Sequence, residues 1–285
     1  MKSSIRNQFG KTKIQEVKTR GHKEKIVVVP GFSEGVTHTK KLLGHLAAKG
    51  FDAISFSQPR KRGDKRLDPI ERQTRVLLDV LDKKMTDGER VHGVAHSLGS
   101  AALLRAAQEQ PDKFQSITIF EPAGAVGRQS VPELLKRVGK KVVKNQVGAA
   151  AGQNPANFTR DGHYTASADT ESRVRFSTRV NSAQLAGAGT LGKNPALAVR
   201  EAVAAGNYDM TNDVRKVAEL GIPIHIVKAE SDEMFDTDKV DDRLETLLEH
   251  GASISSVADP TARHDTSWMQ PERTARIIDQ TLHVE

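Results

Sequence analysis

Short apolar runs recur along this chain, each handing over to a loop and then to apolar residues at helical spacing. That alternation restricts the fold more than any other feature. Lys25 to Val29, Phe51 to Phe56, Arg90 to Ala95 and Ser116 to Phe120 come first, and Ile222 to Val227 and Ser253 to Val257 follow late in the chain. The runs are short, rich in β-branched residues and without clean in-out alternation, as strands covered on both faces are. Ile14 to Val17 adds a candidate edge strand or hairpin arm. Between the runs, Leu42, Leu43, Leu46 and Ala47 form one helical stripe, with Gly50 as a left-handed stop. Asp68-Pro69-Ile70-Glu71 supplies an N-cap, a proline at the first helical position and an acid at the third. Ile70, Leu77, Leu78 and Leu81 then share a face. Leu98 to Glu109, Val240 to Leu248 and Glu272 to Leu282 complete the helices of the pattern. Strands alternating with helices imply βαβ crossovers, a mostly parallel sheet and helices on both faces.

One stretch interrupts the alternation. Ala125 to Met210 contains no strand-like run. Ser130-Val131-Pro132-Glu133 opens a helix as a capping box, and Val131, Leu134, Leu135, Val138, Val142 and Val143 follow at helical spacing. Opposite them stand Lys136, Arg137, Lys140, Lys141 and Lys144, a basic face whose plainer reading is a solvated surface. A Gly/Ala/Asn-rich region comes next, then a second helix near Pro195 to Ala205. At 285 residues the chain has room for one large α/β domain carrying such an insertion. The expected division is therefore a core of residues 1–124 and 211–285, with 125–210 as a helical cap.

Composition narrows the function classes. With no cysteine, the chain has no disulfide framework, thiol nucleophile or thiolate metal site. Basic residues exceed acidic ones by seven, but the excess is spread along the chain. Only nine Phe, two Tyr and one Trp are available for base stacking, so no nucleic-acid partner is expected. No apolar run reaches the roughly 18 residues of a membrane span. Met1 to Gly21 is basic without the apolar core of a signal peptide, so a cytoplasmic location is expected. Nothing in the sequence specifies an oligomeric state.

The chemistry concentrates at Gly93-Val94-Ala95-His96-Ser97-Leu98-Gly99-Ser100. A strand runs into this segment and a small-residue helix leaves it. A nucleophile on such a sharp turn sits in strained backbone, so the residues two before and two after it must be small. Ala95 and Gly99 are, with Ser97 between them. The turn lifts the Ser97 hydroxyl off the sheet to a helix N-terminus, where the Leu98 N–H and the helix dipole favour an oxyanion.

With these residues the chain resembles the α/β-hydrolase family over roughly Lys25 to Leu282, as a serine esterase- or lipase-like member with a cap domain. The resemblance implies an α/β-hydrolase fold in which nucleophile, acid and histidine follow in that order. It places the histidine after the last strand, at His264. His92 and His225 fall inside strand runs, while His22, His45, His250 and His283 fall at element ends. His96 matches a position where the family often has an aromatic or histidine packed beside the nucleophile. The acid is implied just past Ile222 to Val227, where Asp232 matches and Glu230, Glu233 and Asp236 compete. Asp236-Thr237-Asp238 reads better as a helix start. Pro30-Gly31-Phe32 is similar to the family's His-Gly-x turn, which implies Phe32 as the second backbone oxyanion donor beside Leu98. One loop departs from the family. Ser57 to Arg66 carries Arg60, Lys61, Arg62, Lys65 and Arg66, which could steer anionic substrates, although a solvated loop is the plainer reading.

The implied activity is hydrolysis of a small-molecule ester through an acyl-enzyme, with Ser97, His264 and Asp232 as the trio and no metal or organic cofactor. No aspartate stands at the nucleophile position, which argues against the family's epoxide hydrolases and haloalkane dehalogenases. Few aromatics lie in the insertion (Phe158, Tyr164, Phe176 and Tyr208), which weakly disfavours long-chain lipids. Carbon–carbon bond hydrolases, cofactor-free haloperoxidases or perhydrolases, and non-catalytic binding proteins of the same fold stay open.

Overall fold

The computed structural model describes residues 1–21, 24–31, 34–57, 68–137, 140, 195–230, 232, 234–235, 237–248, 254–259, 264, 268 and 270–283. Eight strands form one sheet: β1 (Lys2–Asn7), β2 (Gly10–Val17), β3 (Lys25–Val29), β4 (Asp52–Ser57), β5 (Val91–His96), β6 (Phe114–Phe120), β7 (Ile224–Ala229) and β8 (Ile254–Asp259). Their spatial order is β1-β2-β4-β3-β5-β6-β7-β8. The β1–β2 hairpin and the β2–β4 pair are antiparallel, and every later pairing is parallel. The helices are α1 (Val36–Ala48), α2 (Pro69–Lys84), α3 (Gly99–Glu109), α4 (Pro195–Asn207), α5 (Thr211–Glu219), α6 (Thr237–Leu248) and α7 (Pro271–Leu282). Residues 131–137 are also helical. This is the α/β-hydrolase fold that the alternating pattern and the resemblance lead one to expect.

Successive side chains of a strand point to opposite faces, and the central strands serve two cores. Val27, Val29, Ile54, Phe56, Ala95, Ile117 and Ile119 pack with Leu77, Leu81, Leu103 and Val214 on one side. Ile26, Val28, Ala53, Val94 and Phe120 pack with Leu42, Leu43, Leu46, Ala275 and Ile278 on the other. Each fully buried Leu or Ile contributes roughly 1.5–3 kcal/mol of transfer free energy. A one-residue slip of β3 would exchange its two faces between cores of different shape, so the register is strongly specified.

The local signals read from the sequence behave as expected. Asp68 Oδ1 accepts from the Ile70 and Glu71 backbone N–H groups at 2.8 and 3.3 Å, capping α2. Gly50 takes φ +96° just beyond α1. Two elements have no such announcement. In β1 every residue is exposed or half-buried, so no apolar face marks it. Helix α5 buries only Val214 and Val217.

Of the expected insertion 125–210, residues 138–139 and 141–194 lie outside the described part, and so do Val138, Val142 and Val143 of its first stripe. Within that stripe Leu134 is buried but Leu135 is 39% exposed. The cationic segment 60–66 also lies outside the described residues. Among the described residues, no helix is long and apolar enough to cross a membrane.

Candidate functional site

Strand β5 delivers Ser97 to the carboxyl edge of the sheet, and two close approaches fix the turn there. At Gly93 a Cβ would stand 2.7 Å from Leu103 Cδ1, so α3 lies hard against β5. A Cβ on Gly99 would stand 2.6 Å from the Pro30 carbonyl oxygen and 2.7 Å from that of Val29, so the first turn of α3 presses on the end of β3. Ser97 itself adopts φ +49°, a left-handed conformation that a β-carbon disfavours. Its backbone is tied down on both sides. The Ser97 N–H donates to the Phe120 carbonyl at 3.0 Å, and its carbonyl accepts from the Ser100 and Ala123 N–H groups at 3.1 and 3.2 Å. Strain held by surrounding contacts is characteristic of functional turns.

Three side chains that are far apart in sequence meet at this turn. His264 Nε2 lies 3.1 Å from Ser97 Oγ, and His264 Nδ1 lies 2.9 Å from Asp232 Oδ2. The other carboxylate oxygen, Oδ1, accepts from the Met234 and Phe235 N–H groups at 2.7 and 3.1 Å. All three residues are nearly inaccessible, with Ser97 and His264 at 6% and Asp232 at 7% exposure. The His264 ring is further confined by an edge contact from Phe235 and a tilted one from His96, each with centroids 5.0 Å away. Because a carboxylate only accepts, Asp232 requires a proton on Nδ1; in neutral His264, Nε2 is then left without one, facing the hydroxyl. This arrangement can remove a proton from Ser97 and return it elsewhere.

The structure thus brings Ser97, Asp232 and His264 together. Leu98 is buried and caps α3, whereas Phe32, like the competing acids Glu233 and Asp236, lies outside the described residues. Its neighbour Gly31 is fitted tightly: a Cβ there would stand 2.9 Å from the His96 carbonyl oxygen and 3.0 Å from His96 Nδ1. On the basic face of the first stripe Lys136 and Lys140 are exposed, while Arg137 also reaches inward, its Nη1 donating to the Met234 carbonyl at 3.1 Å beside the Asp232 loop.

Sequence reasoning also missed a polar cluster behind the nucleophile. His96 is 1% exposed, and its ring reaches Glu34, Glu121, Trp268 and the backbone of His264. Burial pushes the Glu34 carboxyl up, but the charge and hydrogen bond of His96, the charge of His38 and the Gly31 N–H together hold it below the ordinary value. No spacing rule connects these residues, which come from the end of β5 and from the segments that follow β3, β6 and β8.

A cavity of about 810 Å³ opens between the start of α2, α3, α4 and α5, bordered by Arg105, Tyr208 and Asp213. Ser97, Asp232 and His264 are not among its lining residues. The Tyr208 hydroxyl there donates to Asp213 at 2.8 Å, and burial pushes its pKa well above the usual value. Among the described residues, no group of three or more His, Asp or Glu side chains is placed to hold a metal ion.

A family model described as serine aminopeptidase, S33, matches residues 20–267. No curated protein matches the chain in sequence. Among solved structures, an α/β hydrolase, MGS-M2, from a Medee basin deep-sea metagenome library superposes with a TM-score of 0.69 at 14% identity, covering 99% of this chain and 98% of that one. An esterase from Exiguobacterium antarcticum gives 0.68 at 13% identity, with both chains covered completely. A bromoperoxidase from Bacillus anthracis gives 0.69 at 12% identity, again over the full length of both chains.

Proposed function

The chain belongs to the serine aminopeptidase, S33, family of α/β hydrolases, and from that premise we propose that it cleaves carboxylic esters with Ser97 as nucleophile. The observation that carries the reading is the unbroken line from Ser97 Oγ through His264 to Asp232 Oδ2, with steps of 3.1 and 2.9 Å.

A serine hydroxyl is a poor nucleophile at neutral pH, so the base must act as the attack occurs. In the proposed reaction His264 Nε2 takes the Ser97 proton while Oγ bonds to the substrate carbonyl carbon. Asp232 holds the imidazole in the required tautomer and stabilises the imidazolium. The developing oxyanion is assigned to the backbone N–H groups of Leu98 and Phe32. Collapse breaks the carbon–oxygen bond, and the alcohol leaves with the proton from His264. Water then attacks the acyl carbon as His264 takes its proton, and the carbon–Oγ bond breaks as that proton passes to Ser97, releasing the carboxylic acid and restoring the hydroxyl. An ester demands least of the site, because an alkoxide is a much weaker base than the nitrogen anion of an amide and is expelled more readily with the proton from His264. In this reading residues 125–210 form a cap over the carboxyl edge and shape the pocket.

The esterase and bromoperoxidase neighbours make a substrate panel the decisive test. Short p-nitrophenyl esters, amino-acyl p-nitroanilides, β-diketones and halide with peroxide are offered to wild type and Ser97→Ala. The reading expects the esters to give the highest kcat/KM, and the substitution to remove all but a small residue of turnover. Faster anilide or diketone cleavage, halogenation without esterolysis, or full activity in Ser97→Ala contradicts it.

A further inference from the structure

His96 immediately precedes the proposed nucleophile, and its two ring nitrogens face different demands. Nε2 lies 2.6 Å from the carbonyl oxygen of His264. A carbonyl can only accept, so Nε2 carries a proton. Nδ1 lies 3.1 Å from Trp268 Nε1, which can only donate, and 3.0 Å from Glu34 Oε1, which as a carboxylate only accepts. One nitrogen cannot serve both partners. Without a proton, Nδ1 accepts from Trp268; with one, it donates to Glu34.

Each partner leads to a different part of the site. Glu34 Oε2 accepts from the Gly31 N–H at 2.5 Å, so Glu34 anchors the turn that continues into Phe32. Trp268 stands four residues beyond His264, and its indole packs edge-on against the His96 ring with centroids 5.2 Å apart. Among the described residues, the titratable groups facing His96 are Glu34 after β3, Glu121 at the end of β6 and His264 after β8, with His38 of α1 acting through Glu34. Glu121 Oε2 is 3.6 Å from Nε2, and its residue holds φ +44°, the same strained region as Ser97.

We infer that His96 is a positioning residue with two settings: charged, its Nδ1 clamps Glu34 and with it the Gly31 turn; neutral, its Nδ1 clamps Trp268 instead. Its bearing on turnover rests on the proposed role of Ser97 and His264. The exchange of hydrogen-bond partners does not. In both settings the Nε2–H bond to the His264 carbonyl persists, so the backbone of the base is held throughout.

Trp268 is the single tryptophan of the chain, so its emission reports this exchange directly. Emission is followed from about pH 5 to about pH 8, where imidazoles titrate, in wild type, His96→Gln and Glu34→Gln. The inference expects one transition in wild type and none in His96→Gln, whose amide still donates to the His264 carbonyl but does not titrate. In Glu34→Gln, loss of the opposite charge moves the midpoint down by about 1–3 pH units. Turnover adds a second readout. His96→Phe, which fills the space without a donor, loses about 10²-fold in kcat with little change in KM, and His96→Gln recovers most of it. A wild-type titration without a transition, a transition that survives in His96→Gln, an unmoved midpoint in Glu34→Gln, or equal kcat for Phe and Gln overturns the inference. An inactive wild type that still shows the His96-dependent transition instead removes the catalytic reading and leaves the switch of partners standing.

Discussion

Replacing Asp232 by asparagine separates chemistry from folding more sharply than any other change at this site. Among the described residues the carboxylate has two tasks. Oδ1 accepts from the Met234 and Phe235 N–H groups, and Oδ2 faces His264 Nδ1. An asparagine side chain has one acceptor and one donor end. The two backbone N–H groups claim the carbonyl oxygen, which turns the NH₂ group toward Nδ1. His264 must then present a lone pair at Nδ1 and carry its proton on Nε2, the nitrogen facing Ser97. That tautomer cannot accept the hydroxyl proton. In a Ser-His-Asp site this change costs about 10⁴-fold in kcat, or about 5 kcal/mol of barrier. The folded state loses far less, about 1 kcal/mol, because both backbone donors keep a partner. Asp232→Ala, by contrast, strands two buried N–H groups at about 1–3 kcal/mol each. The assay is kcat on a p-nitrophenyl ester together with a thermal melt of both variants. The expected pattern is an inactive, nearly wild-type-stable Asn variant and an inactive, destabilised Ala variant. An Asn variant within tenfold of wild-type kcat, or Asp236→Asn proving the more damaging change, refutes the reasoning.

Two further outcomes follow from the packing and from titration. Gly99→Ala gains up to about 1 kcal/mol of helix propensity, yet its Cβ would press on the Pro30 and Val29 carbonyls at 2.6 and 2.7 Å. Overpacking against backbone costs about 1–3 kcal/mol, so Tm should fall by several degrees at about 2–4 °C per kcal/mol; a raised Tm contradicts the close approach. Burial, the largest influence, lowers the pKa of His92 despite Glu24 nearby, and burial also lowers that of His225. Unfolded histidines therefore bind more protons just below their ordinary pKa, and stability should decline as pH falls through and below about 6.5. Urea midpoints near neutral and mildly acidic pH should differ less in His92→Gln than in wild type, and an unchanged difference refutes the assignment.

The parts of the molecule that were legible in the sequence are those with a local cause. Buried strands need unbroken apolar runs, so β3 to β7 could be read within a few residues of their ends. Helix α2 announced itself through Asp68 and Pro69. Ser97 stood out because its strained turn needs Ala95 and Gly99 on either side. His264 and Asp232 were reachable only through chain order, as the loops after β8 and β7. Strand β1 stayed hidden because no face of it is fully buried. The cluster around His96 was equally hidden, since contacts between segments 62 and 172 residues apart leave no periodicity to detect.

The most direct measurement is reaction of the native protein with a fluorophosphonate, followed by mass spectrometry of its peptides. A single adduct on Ser97, absent from Ser97→Ala and strongly slowed in His264→Ala, is the predicted result. A folded protein that stays unmodified, or that carries its adduct on another residue, contradicts Ser97 as the nucleophile.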